Sequence, residues 1–236
     1  MKTSTTVAQD LGTWQEEQAL DAACCRLLAN KIILAHILQG CLPEYSRCSI
    51  QELLPCLEST PAVCSVAVDQ DVPDPGRIRG ENTADKTMTE GNVTFDILFS
   101  ARIPNGKESR QIFINVESQE NWTPGYPLLK RAAYYCARLI SRQKGIVFQH
   151  SDYQKLQKVY SLWVCLDPPR SMQNTLTSFH MTEEQLVGQA KYDKMNYDMM
   201  SMIMIGLGQP DRRQEDIIRW TLTRRNKSWN GNTPFP

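Results

Sequence analysis

Asp96 and Glu117 are the side chains of this sequence best placed by type and spacing to do chemistry. Val93-Thr94-Phe95-Asp96-Ile97-Leu98-Phe99 reads as a strand, with Val93, Phe95, Ile97 and Phe99 on one face and Asp96 on the other. Ile112-Phe113-Ile114-Asn115-Val116-Glu117-Ser118-Gln119 reads as a second strand. There Ile112, Ile114 and Val116 share one face, and Phe113, Asn115, Glu117 and Gln119 share the other. Pro104-Asn105-Gly106-Lys107 supplies turn chemistry between them, and folding the chain about Gly106 and Lys107 sets Asp96 opposite Glu117. Side chains of directly paired residues lie about 5 Å apart. Two carboxylates held that close on a half-buried sheet repel, and a bound cation or a shared proton relieves them. Acidic side chains at the solvated edge of a strand are the plainer alternative.

The surrounding words are more specific: Glu81-Asn82-Thr83-Ala84-Asp85-Lys86, Thr89-Glu90-Gly91, Asn115-Val116-Glu117-Ser118-Gln119, Pro124-Gly125-Tyr126-Pro127-Leu128 and Lys130-Arg131-Ala132-Ala133-Tyr134-Tyr135. In this order they resemble the PD-(D/E)XK nuclease family transposases, relatives of the recombination-promoting nuclease (Rpn) group of bacteria. The resemblance runs from about Leu28 to Leu207. It implies an α/β fold: a restriction-endonuclease-like mixed sheet core flanked by helices, with an N-terminal helical extension and a C-terminal helical segment.

The same resemblance implies Mg2+-dependent hydrolysis of a DNA phosphodiester, associated with transposition or recombination. Asp96, Glu117 and the Ser118 backbone carbonyl would hold the metal, and Gln119 would take the place of the usual lysine beside the attacking water. Glutamine can hydrogen-bond a water but supplies no charge. Arg131 and Tyr135 are expected to support the site. A catalytically weak or inactive DNA-binding or interaction protein with the same fold is the second reading, and a general phosphodiesterase or RNase the third.

The bulk composition neither advertises nor excludes a nucleic-acid partner. Lys plus Arg and Asp plus Glu both number 26 in 236 residues, enough chain for one domain with a sizeable core. Charge is distributed unevenly. Residues 1–80 carry 6 basic and 10 acidic side chains, whereas 101–145 carry 8 basic and 3 acidic. A sequence opening Met1-Lys2-Thr3-Ser4, without a charged-then-apolar leader or a run of about 18 apolar residues, leads us to expect a cytoplasmic protein off the membrane. The eight cysteines contain no Cys-x-x-Cys pair and read as reduced thiols. Cys41, Cys48, Cys56 and Cys64 recur at seven or eight residues but lack the close pairs and histidines of a zinc site. The oligomeric state is left open, a homo-oligomer included.

The elements that must position these groups are read in turn. Residues 1–13 form a polar tail ahead of the domain at 14–207. Trp14 to Cys41 has helical spacing, as one long helix or two joined, ending at Leu42-Pro43. Asp21 and Glu44 compete for a further acidic position here, though both read first as surface carboxylates. Ser49-Ile50-Gln51-Glu52 has the form of a capping box opening a helix over 50–58. Residues 70–92 are dense in breakers and read as loop, with a short strand near 77–79; Glu90 within it reads as a solvated acid near the metal strand.

A helix is expected over 128–143, with Leu128, Leu129, Ala132, Ala133, Cys136, Leu139 and Ile140 buried. Arg131, Tyr135, Arg138 and Arg142 form another stripe, read either as a solvated basic face or as a DNA phosphate contact. Residues 158–166 read as a buried strand, 170–192 as a connector with a brief helix near 183–187, and 194–207 as a Met-rich helix. Residues 208–236 read as a C-terminal tail, polar and aperiodic from Trp220 to Pro236 and truncated or frameshifted relative to the resembling family, which would leave an apolar surface near 199–219 exposed.

Overall fold

In a computed structural model of the chain, residues 23–57, 62–63, 84–87, 91–104 and 111–208 are described. The readings made for residues 1–13, Asp21, 77–79, Glu90, Cys64, the 105–110 turn and the 209–236 tail lie outside them. Residues 23–28 are helical (α1) and are followed by α2 (Lys31–Cys41). The break between them is a capping event: the Asn30 side chain accepts from the N–H groups of Ile32 and Ile33, donors the helix cannot satisfy itself. The two-helix form of the expectation therefore holds over 23–41, and Leu42-Pro43 ends the run.

Ser49 caps α3 (Ile50–Leu53) with the full capping box: its Oγ accepts from Glu52 N–H, and Glu52 accepts from Ser49 N–H. The α-helix is shorter than expected. Pro55 carries no N–H for an α-helical bond, and Leu54–Cys56 tighten into a 3-10 turn.

The frame is a six-stranded mixed sheet in the order β1-β4-β5-β6-β8-β7. Its strands are β1 (Ala62–Val63), β4 (Ile97–Arg102), β5 (Gln111–Asn121), β6 (Val159–Asp167), β7 (Thr175–His180) and β8 (Met200–Gly206). A separate antiparallel pair, β2 (Ala84–Thr87) with β3 (Gly91–Thr94), corrects the expectation that 70–92 is loop. The breakers there do not prevent a short hairpin of four residue pairs.

β4 pairs antiparallel with β5 from Ile97↔Val116 to Arg102↔Gln111, the register that folding about Gly106 and Lys107 requires. β5 pairs parallel with β6 after the crossover through α4 (Leu128–Arg142), and β6 pairs parallel with β8. β6 and β8 are covered on both faces. Their near-continuous apolar sequences follow from that double burial.

Two apolar layers sandwich the sheet. α1 to α3 pack over Ile97, Phe99, Ile112, Ile114, Val116, Tyr160, Leu162 and Ile203. On the other side α4 packs Leu128, Ala132, Tyr135, Cys136 and Leu139 against Phe95, Leu98, Phe113, Trp163, Cys165 and Met204. Positions 128, 132, 135, 136 and 139 follow one helical face, so a single amphipathic helix closes this side. Gly125, at φ +91°, lies in the bend that turns the chain from β5 into α4, a conformation costly for residues with a Cβ.

Four further expectations are corrected. The strand read over 93–99 is divided: β3 ends at Thr94, Asp96 sits in a bend, and β4 begins at Ile97. Phe95 therefore packs on the α4 side while Ile97 and Phe99 pack on the opposite side. The connector read over 170–192 contains β7. Residues 183–187 are not helical, and Leu186 and Val187 stand 84 % and 96 % exposed; so short a helix without an apolar contact does not recover its nucleation cost. The helix expected over 194–207 is a 3-10 turn at Lys194–Asn196 followed by strand β8, so the C-terminal helical segment is absent from the described residues.

In β8, Ile203 and Ile205 face the α1–α3 layer and Met202 and Met204 face α4. A strand buried on both faces loses the polar alternation that distinguishes it from a buried helix. Among the described residues the cysteines at 24, 25, 41, 48, 56, 136 and 165 form no disulfide. No helix among the described residues is long and apolar enough to cross a membrane.

Leu38 is fully buried at the centre of the α2 contact with the sheet. Leu38→Ala should cost about 2–5 kcal/mol in urea denaturation without changing the secondary structure seen by circular dichroism.

Candidate active site

β5 carries the site because its alternation sends Phe113, Asn115 and Glu117 to the α4 side, and because it extends beyond the end of β4. Past the last ladder pair, Ile97↔Val116, the two segments are joined by side chains instead of backbone. Asp96 N–H donates to Glu117 Oε1 at 3.2 Å, and Ser118 N–H donates to Asp96 Oδ2 at 2.9 Å. Asn115 Nδ2 donates to the same Glu117 Oε1 at 3.0 Å. Asp96 and Glu117 are thereby locked side by side.

The Ser118 carbonyl belongs to the same edge. Phe113 N–H donates to Lys158 O on the β6 side, so odd-numbered residues of β5 direct their backbone groups to β6 and even-numbered ones to the β4 side. Ser118 lies one step beyond Glu117, and its carbonyl faces the Asp96 side past the paired end of β4. Gln119 pairs with Cys165 of β6 and shares the Glu117 face of β5.

Among the described residues it is Arg131, in the first turn of α4, that brings a cation to Glu117, with Nη2 3.9 Å from Glu117 Oε2. Its Nε and Nη2 donate to Tyr135 Oη at 3.0 and 2.7 Å, and Nη1 donates to Tyr126 Oη at 2.9 Å. The guanidinium carbon also lies 5.0 Å from the Tyr135 ring centre and 5.1 Å from that of Trp163. Two hydroxyls and two rings hold the group in one orientation, yet its side chain remains 32 % exposed and open to an incoming anion.

The four-residue stripe read on this helix separates. Arg131 and Tyr135 reach the site. Tyr135 is a buried aromatic that packs edge-on against Phe95 and presents its hydroxyl and its ring to Arg131. Arg138 is buried and donates to Tyr134 Oη, and Arg142 lies beside Leu98, Phe113 and Gln143 at the far end of the helix. From 131 to 142 a helix advances about 16 Å, so one stripe cannot serve one site. The solvated basic face expected for this stripe is thus corrected at Tyr135 and Arg138, both of which are buried.

Glu44 is not part of this cluster. It accepts from Tyr160 Oη at 2.8 and 2.9 Å and lies 3.7 Å from Lys158 Nζ, tying the N-terminal layer to the opposite face of the sheet. Asn115, Tyr126 and Trp163 join the site without having been singled out for it. Asn115 shares the parity of Glu117 and was legible in that sense; Trp163 enters only through the parallel register Glu117↔Trp163.

Burial, and then the Asp96 charge, push the Glu117 carboxyl up from 4.5 to about 8. The bonds from Asp96 N–H and Asn115, and the Arg131 charge, oppose this only in part. Two adjoining carboxylates, one of them buried, suit a hard cation with oxygen ligands, and Asn115 Oδ1 and Ser118 Oγ are buried oxygens without a hydrogen-bond partner. Among the described residues no third acidic, histidine or cysteine side chain joins the two carboxylates in a metal-ligating group. A cation here would take Asp96, Glu117 and the Ser118 carbonyl, with water completing its shell.

Comparison of the chain with protein-family models, with curated proteins and with solved structures finds no match in any of the three.

The Glu117 shift sets a pH dependence. With its folded value raised above the unfolded one, the native state binds the extra proton, and stability falls as pH rises from about 4.5 to about 8. Denaturation midpoints measured in EDTA across that window should show this slope, and Glu117→Gln should flatten it while keeping the fold.

Proposed function

We propose that the protein is a metal-dependent DNA endonuclease of the PD-(D/E)XK kind, acting in transposition or recombination. The observation that carries the reading is the interlock of Asp96, Glu117 and Ser118 at the end of β5, where two carboxylates and a backbone carbonyl converge beside an exposed, oriented arginine. The core and strand order support an α/β frame of the kind such a site needs: a mixed sheet with helices on both faces.

A Mg2+ ion held by the Asp96 and Glu117 carboxylates and the Ser118 carbonyl would polarise the phosphate as a Lewis acid and lower the pKa of a bound water. The protein's own groups do the rest. The Asp96 N–H and the Asn115 amide fix Glu117 in the ligating orientation, so its carboxylate needs little reorganisation. Arg131, fixed between Tyr126, Tyr135 and Trp163, offers the phosphate a charged donor whose position is set before binding. Gln119 would hydrogen-bond the attacking water through its amide, and the proton of that water would pass to bulk solvent, since the amide takes none at neutral pH. The polymer is recognised through its phosphates, which Arg131 meets at the site.

Supercoiled plasmid gives the test. The wild-type protein should nick it with Mg2+ and fail with EDTA, and Asp96→Ala and Glu117→Gln should each lower the rate by roughly 100-fold or more. Cleavage unchanged in both variants rejects the catalytic assignment. Plasmid binding without cleavage in the wild type selects the second reading, an inactive DNA-binding protein, to which the neutral Gln119 points.

The residue at 119 is separable from the ligands. Gln119→Ala should give an intermediate loss, roughly tenfold to a hundredfold, with Mg2+ affinity retained. Gln119→Lys should remain active because an ammonium stabilises charge on the phosphate. Indifference of the cleavage rate to both substitutions would remove Gln119 from the site.

A further inference from the structure

Two tyrosines beside the acidic pair keep their rings in solvent while an arginine holds each hydroxyl. Tyr126 is 45 % exposed, and its Oη accepts from Arg131 Nη1 at 2.9 Å. Tyr134 is 44 % exposed, and its Oη accepts from Arg138 Nη1 at 3.0 Å. Water would satisfy an exposed hydroxyl equally well, so what these bonds add is a ring held in one place. Tyr135 and Trp163, the other rings at Arg131, are buried in the core beneath α4 and have no face to offer a ligand.

The two exposed rings flank Arg131. Tyr126 bonds its Nη1, and Tyr134 lies three residues on along α4, about 4.5 Å further up the axis, with its Cβ about 5–6 Å from that of Arg131. The charge around them has one sign. From Asn121 to Ser151 the chain carries Lys130, Arg131, Arg138, Arg142 and Lys144 and no Asp or Glu. Exposed rings alternating with cations hold an unpaired nucleic-acid strand by base and phosphate in turn. Paired DNA makes no use of such rings, because neighbouring base pairs cover the faces of its bases. A base meets a surface ring only once it has left the stack.

We propose that the DNA strand is bound unpaired, with its bases stacked on Tyr126 and Tyr134 on either side of the phosphate that Arg131 meets. The inference rests on the nuclease reading of this site and names its substrate: single-stranded DNA, or a duplex opened at the cut. The arginine supplies the charged contact and the two rings supply the preference for unstacked bases.

The test measures binding apart from cleavage. In EDTA, fluorescence anisotropy of the full chain with a labelled oligonucleotide of about 20 nucleotides should show the single strand bound at least tenfold more tightly than the same sequence as a duplex. Tyr126→Ala and Tyr134→Ala should each lower that ratio about tenfold, whereas Tyr126→Phe and Tyr134→Phe, which keep the ring, should retain it. A strand carrying 2-aminopurine should be quenched on binding the wild type and less so on binding the alanine variants. Equal affinity for the two forms overturns the inference, as does the absence of DNA binding. So does an alanine loss shared equally by the duplex, since the rings would then only support Arg131. Nicking of plasmid with Mg2+ is scored separately. A chain that nicks plasmid but binds both forms alike loses the stacking site and keeps the nuclease; one that prefers the single strand through its rings without cleaving keeps the stacking site and loses the nuclease.

Discussion

The register between β4 and β5 is the constraint on which the rest of the structure depends. With Ile97 opposite Val116, the next residues along are Asp96 and Glu117, and the ladder gives way there to bonds between carboxylate and backbone. A slip of one residue would exchange the two faces of β4, sending Ile97 and Phe99 toward α4 and Leu98 into the opposite core. Burial of both faces forbids this, since each layer is filled by side chains from several strands. The stability of the two cores is therefore what holds the acidic pair in place. Asp96 lies in a bend and not in a ladder, so its position depends on that register and on the Ser118 bond.

The second constraint is charge. Glu117 is buried beside another carboxylate, an arrangement that stands only with proton, cation or hydrogen-bond support. Three N–H groups and one guanidinium respond to this from different elements: Asp96 and Ser118 by their backbones, Asn115 from within β5, and Arg131 from α4. Arg131 does not close on Glu117 as a tight ion pair; its hydrogen bonds go to Tyr126 and Tyr135. This leaves both the carboxylate and the guanidinium with capacity for other partners, as the cation and phosphate of the proposed function require. The opposite face handles its buried charge differently. Lys158 lies 2.7 Å from Asp198 and 3.7 Å from Glu44, and Tyr160 bonds Glu44, contacts that fasten the helical layer to the sheet.

Several features were legible in the sequence because they arise from local rules. The period of two in Ile112 to Gln119 put Ile112, Ile114 and Val116 on one face and Phe113 on the other, as the two cores have them. The capping box at Ser49 and Glu52 and the helical spacing from Leu128 need only neighbours three or four residues away. The pairing of Asp96 with Glu117 was readable for the same reason: a hairpin with a central turn determines its own register. Asn115 and Arg131 lay within reach of that reasoning, one by strand parity and the other by its place in the first turn after the strand.

What the sequence could not decide was what lies beside what across long separations. β8 resembles a Met-rich helix because Met and Ile serve either state, and only insertion between β6 and β7, with cores on both sides, makes the extended form the better burial. Trp163 joins the arginine cage only because β6 pairs parallel with β5 across a crossover. The stripe Arg131, Tyr135, Arg138 and Arg142 is uniform in the sequence, yet packing on the sheet buries Tyr135 and Arg138, and the length of the helix leaves just Arg131 and Tyr135 at the site. Local periodicity determined which way side chains point within an element; packing between elements, a property of no single segment, decided which of them meet.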